Sequence, residues 1–377
     1  MKSRAFWLMD NMNNRFPVYS RRRFIFSNPA SKIPHSGDGM KTIKKLSFLL
    51  LSILCLLVCS ATVMAQSVWT KHTGTPVLTV GSAGEWDSKY VESGAVVFDN
   101  GAYRMWYSGS DGSSWAIGCA TSPDGITWTK NPGNPVLRPG DKGTWDDAAV
   151  FSPSIIYDNG IFQMWYSGEG AFTKIGYATS PDGVMWTKNP GNPVLDLSVG
   201  ANTWENGGVY YASVLQVGGQ YKMWYTGFCT LATSTIGYAE SSDGVTWTKY
   251  LFNPVLENGV KGAWDDYNVE SPNVVFDGFF YHMWYCAWHK DFPLLDKGFY
   301  KIGYARSTDG LTWNKYDNNP VLKQGGRLFT GWDGRGVLYP IVIFDGSQYK
   351  MWYTGRGRFG YAYHEQIGYA TSPVDAQ

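Results

Sequence analysis

Cysteine, histidine and excess charge are all scarce in this 377-residue chain, which carries 5 Cys, 5 His and 17% charged residues. Cys55 and Cys59 lie in an apolar stretch near the start, leaving Cys119, Cys229 and Cys286. An odd number without framework spacing excludes a disulfide-stapled scaffold. Neither Cys-x-x-Cys nor His-x-x-x-His occurs, so no zinc site is signalled. Beyond residue 65, no ten-residue stretch shows helical periodicity, which excludes a bundle or an α/β fold. Aromatic residues and glycine, by contrast, are abundant: 18 Trp, 25 Tyr, 19 Phe and 44 Gly.

The first 65 residues differ from the rest. From Met40 a short basic stretch (Lys41, Lys44, Lys45) leads into an apolar run from Leu46 to about Val63. Val63-Met64-Ala65 then places small residues at −3 and −1, as a signal peptidase requires. Residues 40–65 therefore read as a secretory signal peptide, with Gln66 as the mature start and residues 1–39 as a non-native upstream extension. The alternative is an uncleaved anchor, since the apolar run approaches the ~18 residues needed to span a bilayer. Cleavage implies a secreted, periplasmic or extracellular, protein with no membrane attachment. Residues 1–65 hold 10 of the 32 Lys and Arg and 2 of the 31 Asp and Glu. The mature chain thus keeps 22 basic and 29 acidic groups, a net charge of −7. An acidic surface argues against a nucleic-acid partner. Residues 66–377 are long enough for one large domain, expected to be monomeric.

That domain is one motif written five times. Trp69, Trp128, Trp186, Trp247 and Trp313 open the copies, at steps of 59, 58, 61 and 66 residues. The second copy runs through Trp128-Thr129-Lys130, Asn134-Pro135-Val136-Leu137 and Trp145-Asp146. It continues with Ser152-Pro153, Met164-Trp165-Tyr166-Ser167-Gly168 and Ile175-Gly176-Tyr177-Ala178, and closes on Ser180-Pro181-Asp182-Gly183. A fixed period of this size denotes a solenoid, a propeller or an array. Each copy contains four short segments rich in β-branched and aromatic residues, separated by turn residues. In copy four these are Asn273 to Phe276, Tyr281 to Trp284, Ile302 to Ala305 and Thr312 to Lys315. The fold expected is an all-β five-bladed β-propeller with four antiparallel strands per blade. Copy five stops before its own fourth strand, so Val68-Trp69-Thr70-Lys71 at the N-terminus is expected to close the last blade.

A feature present in every copy belongs to the scaffold, so function is sought where the copies differ. Fifteen tryptophans fall at repeat positions, three per copy, and read as packing. So do the Trp-Asp pairs Trp86-Asp87, Trp145-Asp146, Trp264-Asp265 and Trp332-Asp333, with Trp204-Glu205. Before Ser-Pro the copies carry Phe151, Tyr210 and Leu338, but Glu92 and Glu270 in copies one and four. A carboxylate entering an inner strand is expensive to bury without a role, so both are candidate catalytic groups. Asp147 and Asp266 are second candidates. The stretch from Trp284 to Ile302 spans 18 positions, against 11, 10, 12 and 15 in the other copies. It carries Trp288, His289, Lys290 and Asp291, and Cys286-Ala287 replaces the usual Ser/Thr-Gly. Copy five adds Arg335, Arg356, Arg358 and His364, and copy one adds Trp115. Aromatic faces beside Arg, His and carboxylates suit a sugar subsite, with Trp115, Tyr210, Trp288, His289, Arg335, Arg356 and Arg358 as its candidate residues. A solvated polar loop and ordinary salt-bridged carboxylates are the alternative.

At Met-Trp-Tyr-Ser-Gly, Ile-Gly-Tyr-Ala-Thr-Ser-Pro-Asp-Gly and Asn-Pro-Val-Leu the chain resembles the five-bladed propeller glycosidases. These are the family 43 arabinosidases and xylosidases and the family 130 mannoside phosphorylases. The resemblance implies a carbohydrate substrate and carboxylate acid/base chemistry, with Glu270-Ser271-Pro272 similar to the family 43 acid motif and Glu92-Ser93-Gly94 to a degenerate one. Glu270 would then be the acid, and Glu92 or a neighbouring Asp the base. The Asp that precedes Pro in those families is replaced here by Ser152, Ser271 or Tyr339. A glycoside hydrolase on plant or microbial polysaccharide or oligosaccharide is therefore the first expectation, with a phosphorylase as its sub-case through the three arginines. A sugar-binding or protein-interaction propeller that has lost the base is the alternative. No cofactor is called for; related propellers can hold Ca²⁺ in the axial channel, which no pattern here signals.

Overall fold

In a computed structural model, the described residues are 69–73, 75–198, 204–230, 233–289, 299–325, 331–359 and 362–373. The side chains of 358, 359, 362 and 363 are excepted. All lie within the compact unit Ala65–Val374. Residues 1–68, with the expected leader, fall outside the described set, as do Lys290 and Asp291.

Among the described residues every regular element is a strand. The first group is β2 (Tyr90–Asp99), β3 (Ala102–Ser110), β4 (Trp115–Ser122) and β5 (Thr129–Lys130), paired antiparallel in that order. The second is β6 (Ala149–Asp158), β7 (Ile161–Glu169), β8 (Thr173–Ser180) and β9 (Thr187–Lys188). The third is β10 (Gly208–Val217), β11 (Gln220–Cys229), β12 (Thr233–Ser241) and β13 (Thr248–Lys249). The fourth is β14 (Asn268–Phe276), β15 (Tyr281–Trp288), β16 (Lys301–Ser307) and β17 (Asn314–Lys315). In the fifth, β18 (Gly336–Phe344), β19 (Gln348–Phe359) and β20 (Ala362–Pro373) are joined by β1 (Thr70–Lys71), with Thr70 opposite Thr371. The architecture is all-β and propeller-like. Parallel bridges such as Tyr90–Glu365 and Ser234–Asn268 join the groups into two mixed sheets of 8 and 12 strands.

The first strand of the fourth group starts at Asn268, five residues before the segment with overt strand chemistry. The reason is a bulge. Each inner strand shifts register in its middle, between Ser93/Ala95, Phe151/Ser154, Tyr210/Ser213, Glu270/Asn273 and Leu338/Ile341. Pairing resumes on the near side, so Glu92 and Glu270 lie inside paired strand. At the bulge Ser152, Tyr211, Ser271 and Tyr339 take φ of 48, 52, 54 and 50°, conformations few side chains adopt.

The backbone N–H released by each bulge binds the neighbouring group. Ser152 N donates to Ser108 Oγ (2.9 Å), Tyr211 N to Ser167 Oγ (3.0 Å) and Ser271 N to Thr226 Oγ1 (2.8 Å). Tyr339 N donates to Cys286 Sγ (2.9 Å) and Ser93 N to Thr354 Oγ1 (2.9 Å), linking the fifth group back to the first. These acceptors are the Ser/Thr of Trp-Tyr-Ser/Thr-Gly. Cys286 therefore fills a scaffold position, and its departure from the repeat is no mark of the site.

Other shared motifs are committed in the same way. Asp87, Asp146, Glu205 and Asp333 accept both a buried tyrosine hydroxyl (Tyr107, Tyr166, Tyr225, Tyr353) and a fourth-strand lysine (Lys130, Lys188, Lys249, Lys71). Asp265 accepts Lys315 at 2.6 Å. The Asn before Pro clamps the third strand: Asn134 Oδ1 accepts Cys119 N and its Nδ2 donates to Cys119 O. Trp106, Trp165, Trp224 and Trp352 each donate an indole N–H to a turn glycine of the next group, Gly183, Gly244, Gly310 and Gly125. Gly125 needs its φ of +79°, and a Cβ there would meet Trp352 at 2.9 Å. At the fifth such contact Trp69, just before β1 of the fifth group, packs on Trp284 of the fourth at 6.0 Å. Neither of its indole N–H groups has an acceptor among the described residues.

An unmade buried N–H bond costs about 1–3 kcal/mol. Cys286→Val, which deletes the acceptor of Tyr339 N, is expected to lower unfolding stability by about that amount. Cys286→Ser, the chemistry of the other groups, is expected to stay within 1 kcal/mol or so of the parent. Chemical denaturation of both variants checks this, and equal losses would refute the assignment.

Candidate active site

The residue just before each bulge is carried to the middle of the molecule: Glu92, Phe151, Tyr210, Glu270 and Leu338. Glu92 and Glu270 are each only 5% exposed. A second ring of positions, two residues before Ile-Gly in each third strand, holds Trp115, Thr173, Ser234, Tyr300 and Glu365. Three of these turn out to serve the two glutamates. Tyr210 OH donates to Glu270 Oε2 at 3.4 Å and lies 3.3 Å from Ser234 Oγ. Ser234 N is held by Asn268 Oδ1 at 3.1 Å. Tyr300 and Ser234 also hydrogen-bond the Glu270 carboxylate. On the other side Glu92 hydrogen-bonds Glu365, and Arg356 Nε donates to Glu365 Oε1 at 2.5 Å. Arg356 and Glu365 are strand partners across β19 and β20, which fixes that pair.

Electrostatics separate the two candidate carboxyls. Burial pushes Glu92 well above the usual carboxylate range, and the neighbouring Glu365 charge and hydrogen bond push it further, against Arg356. Burial also raises Glu270, but hydrogen bonds from Tyr300, Ser234 and Tyr210, with the Arg356 charge, hold it back. Arg356 is buried as well, which alone would lower its pKa; Glu365, Tyr339 and Tyr300 reverse that and keep it charged. The result is one carboxyl built to keep its proton and another furnished with donors that favour its ionised form. That is the pairing general acid/base chemistry uses.

Four of the sequence-derived candidates therefore meet: Glu92, Glu270, Tyr210 and Arg356. Trp288 stands behind Tyr300, 5.8 Å between ring centroids, and packs edge-on to Tyr267 at 4.9 Å. Trp115 stacks on Tyr90 (5.7 Å), whose backbone is bridged to Glu365. His289 Nδ1 pairs with Asp266 Oδ1 at 2.5 Å. Arg335 lies over the Phe299 ring at 5.7 Å. Asp147 and Asp266 sit on matching turns, accepting Gly143 N and Gly262 N at 2.7 Å. Each thereby caps its turn, and Asp266 does so while holding His289. The side chain of Arg358 lies outside the described residues. His364 is half-buried one residue before Glu365.

Sequence reasoning passed over Glu365, Tyr300, Ser234, Tyr211 and Tyr339. A usable signal existed for the first three. All occupy one repeat position, and that position changes chemistry from copy to copy.

A cavity of about 470 Å³ continues along the inner strands beyond the bulges, lined by Gly94, Ser154, Ser213, Asn273 and Ile341 among others. Its lining contains no carboxylate. The Ser154, Ser213 and Asn273 oxygens already accept backbone N–H groups. Calcium takes six to eight oxygen ligands, commonly with carboxylates among them; this lining offers no carboxylate and its named side-chain oxygens are already engaged, a poor match for a resident Ca²⁺. Among the described residues no cluster of three or more His, Cys, Asp or Glu is placed to hold a metal. No helix there is long and apolar enough to cross a membrane.

An all-β propeller-like frame with paired central carboxyls is the arrangement of carbohydrate-active enzymes, and the comparisons point the same way. No family model matches the chain. It is 29% identical to an uncharacterized protein of Mycobacterium tuberculosis over 270 residues, 68% of this chain and 84% of that one. It is 33% identical to a 1,2-β-oligomannan phosphorylase of a Thermoanaerobacter species over 105 residues, 25% of this chain and a third of the phosphorylase. Among solved structures, a β-1,2-mannobiose phosphorylase from Listeria innocua superposes with a TM-score of 0.62 at 13% identity, covering 81% of this chain and 97% of that one. A glycosyl hydrolase from Bacteroides ovatus gives 0.62 at 17%, covering 80% and 92%. The chain thus resembles the glycoside hydrolases and mannoside phosphorylases in fold, and the family 130 side of the expected resemblance is met.

The raised pKa of Glu92 carries a stability consequence. Below about pH 4.3 its carboxyl is protonated in both folded and unfolded chains and costs nothing. As pH rises through its elevated folded value, the folded state loses stability relative to the unfolded one. Glu92→Gln removes that loss. Its melting temperature is expected to exceed that of the parent at pH 8 and to converge with it near pH 4. A pH-independent difference would contradict the assignment.

Proposed function

We propose that the chain is a secreted, monomeric five-bladed β-propeller glycoside hydrolase. Five four-stranded groups, each bonded to the next and the last to the first, support the propeller. One observation carries the activity: two buried central carboxyls, one beside a second carboxylate and the other among donors. Glu92 is the general acid, giving its proton to the glycosidic oxygen as the C–O bond breaks. Glu270 is the general base, taking a proton from the water that attacks the anomeric carbon. These roles are the reverse of those implied by motif resemblance. Arg356, whose charge reaches both carboxyls, is already paired with Glu365, which favours water over phosphate as the attacking group. The mannoside-active relatives and neighbours make neutral hexosides, β-mannosides first, the substrates to try.

Leaving-group dependence separates the roles. Glu92→Gln is expected to lose at least 100-fold in kcat on an alkyl glycoside but far less on a dinitrophenyl glycoside, whose leaving group needs no proton. Glu270→Gln is expected to lose 100-fold or more on both. Equal activity of both variants and the parent sinks the proposal, and sugar binding without turnover would make the chain a binding module. Formation of a sugar phosphate on adding inorganic phosphate would make it a phosphorylase. Secretion predicts that the protein recovered from culture medium or periplasm begins at Gln66 by N-terminal sequencing.

A further inference from the structure

We propose that Tyr211 and Tyr339, stacked on each other at the centre of the molecule, form the floor of the sugar subsite and select a neutral pyranose with an apolar C–H face. The proposal rests on the glycosidase reading and names the substrate class and the residues that choose it.

The two tyrosines occupy the bulge position of the third and fifth groups, where the second and fourth carry Ser152 and Ser271. All four share nearly the same left-handed φ, so the bulge itself is satisfied by serine. A bulky ring in that conformation carries backbone strain of about 1–2 kcal/mol, and something must offset it. Core packing does not, because both rings remain partly exposed while the true core tyrosines, such as Tyr107 and Tyr166, are fully buried. What the rings do is reach across the intervening fourth group and stack, 4.9 Å between centroids and 30° between planes. Tyr210 meets Tyr211 edge-on at 4.7 Å and Phe151 does so at 5.9 Å. The result is a four-ring aromatic surface contributed by three groups.

Its location gives the surface its meaning. Tyr211 packs on Tyr210, whose hydroxyl meets Glu270 at 3.4 Å, and the Tyr339 carbonyl accepts Ser93 Oγ, the neighbour of Glu92, at 2.5 Å, so the stacked pair adjoins both carboxyls. Tyr339 feels Glu92, Glu365 and Arg356. An aromatic pair beside a proton donor and a base is positioned to hold the C–H face of a sugar whose anomeric carbon lies at the carboxyls. The charge balance restricts which sugar. Glu92 and Glu270 both feel the Arg356 charge, and Glu365 already engages that guanidinium. A uronate or a phosphosugar would bring another negative charge into this setting, whereas a neutral pyranose brings none.

The serines of the repeat supply a test that leaves the backbone alone. Tyr211→Ser and Tyr339→Ser place in each bulge the residue that Ser152 and Ser271 already hold at that φ, so both variants are expected to fold with a melting temperature within a few degrees of the parent. On nitrophenyl β-mannoside each is expected to raise KM at least 10-fold, with a smaller change in kcat, and Tyr→Phe at either position is expected to recover most of the loss. The parent is expected to cleave the neutral glycoside at least 100-fold faster than nitrophenyl β-glucuronide. Parent-like KM in both serine variants, or preference for the glucuronide, overturns the proposal. If the parent cleaves no glycoside, the glycosidase reading fails separately. Calorimetry with methyl β-mannoside then decides the floor: parental affinity in the serine variants, or no binding by the parent, refutes it.

Discussion

One hydrogen bond, made five times, underlies both the frame and the site. An inner strand slips register, frees a backbone N–H, and gives it to a Ser, Thr or Cys of the preceding group. Without the slip the N–H would pair within its own sheet, and neighbouring groups would keep only the parallel bridges at their strand starts and their side-chain contacts. Without the acceptor the slip would bury an unsatisfied donor, which the interior does not tolerate. The same slip sets where the flanking side chains go. The residue before it faces the centre, and the residue at it is held in a left-handed conformation. Glu92, Glu270 and Tyr210 owe their position to the first effect, Tyr211 and Tyr339 to the second.

Placing carboxyls at the centre creates an electrostatic problem that the surroundings solve unevenly. Glu365 is held by Arg356 through a strand-paired contact, and that ion pair leaves Glu92 beside a fixed negative charge. Glu270 has hydroxyl donors on three sides instead. Two glutamates at equivalent repeat positions therefore acquire different proton affinities through their neighbours. The asymmetry is carried by the third-strand positions, Ser234, Tyr300 and Glu365, together with Tyr210 of the inner strand β10.

The frame was legible because it is repetitive. A Trp at each inter-group contact, an Asp beneath each Tyr–Lys pair and an Asn against each third strand recur with the chain, so five copies vouch for one another. The bulge was not legible, since Ser-Pro and Tyr-Ala at that point share no local propensity, and the first strand of the fourth group seemed to begin five residues late. Half of the site followed from broken register, as Glu92 and Glu270 stand where Phe, Tyr or Leu stands elsewhere. Asp147 and Asp266 also broke register and cap matching turns, Asp266 holding His289 as well. Cys286 stood out in sequence and proved to be an ordinary acceptor. Glu365 was overlooked beside His364 because its partner Arg356 is nine residues away, a separation that means contact only once a long hairpin is known.

The seam between the chain's two ends lies in the group that also contributes Arg356 and Glu365. Lys71 from the first strand meets Asp333 there, and Trp69 packs on Trp284. The guanidinium is thus supplied by the fifth group, while Glu92 and Glu270 stand on the first and fourth. Until that group docks, the two glutamates have no cation to offset them and favour staying hydrated. The strands that bring the cation to the two glutamates are thus the same ones that join the fourth group to the first, and a chain cut before β19 would lose both.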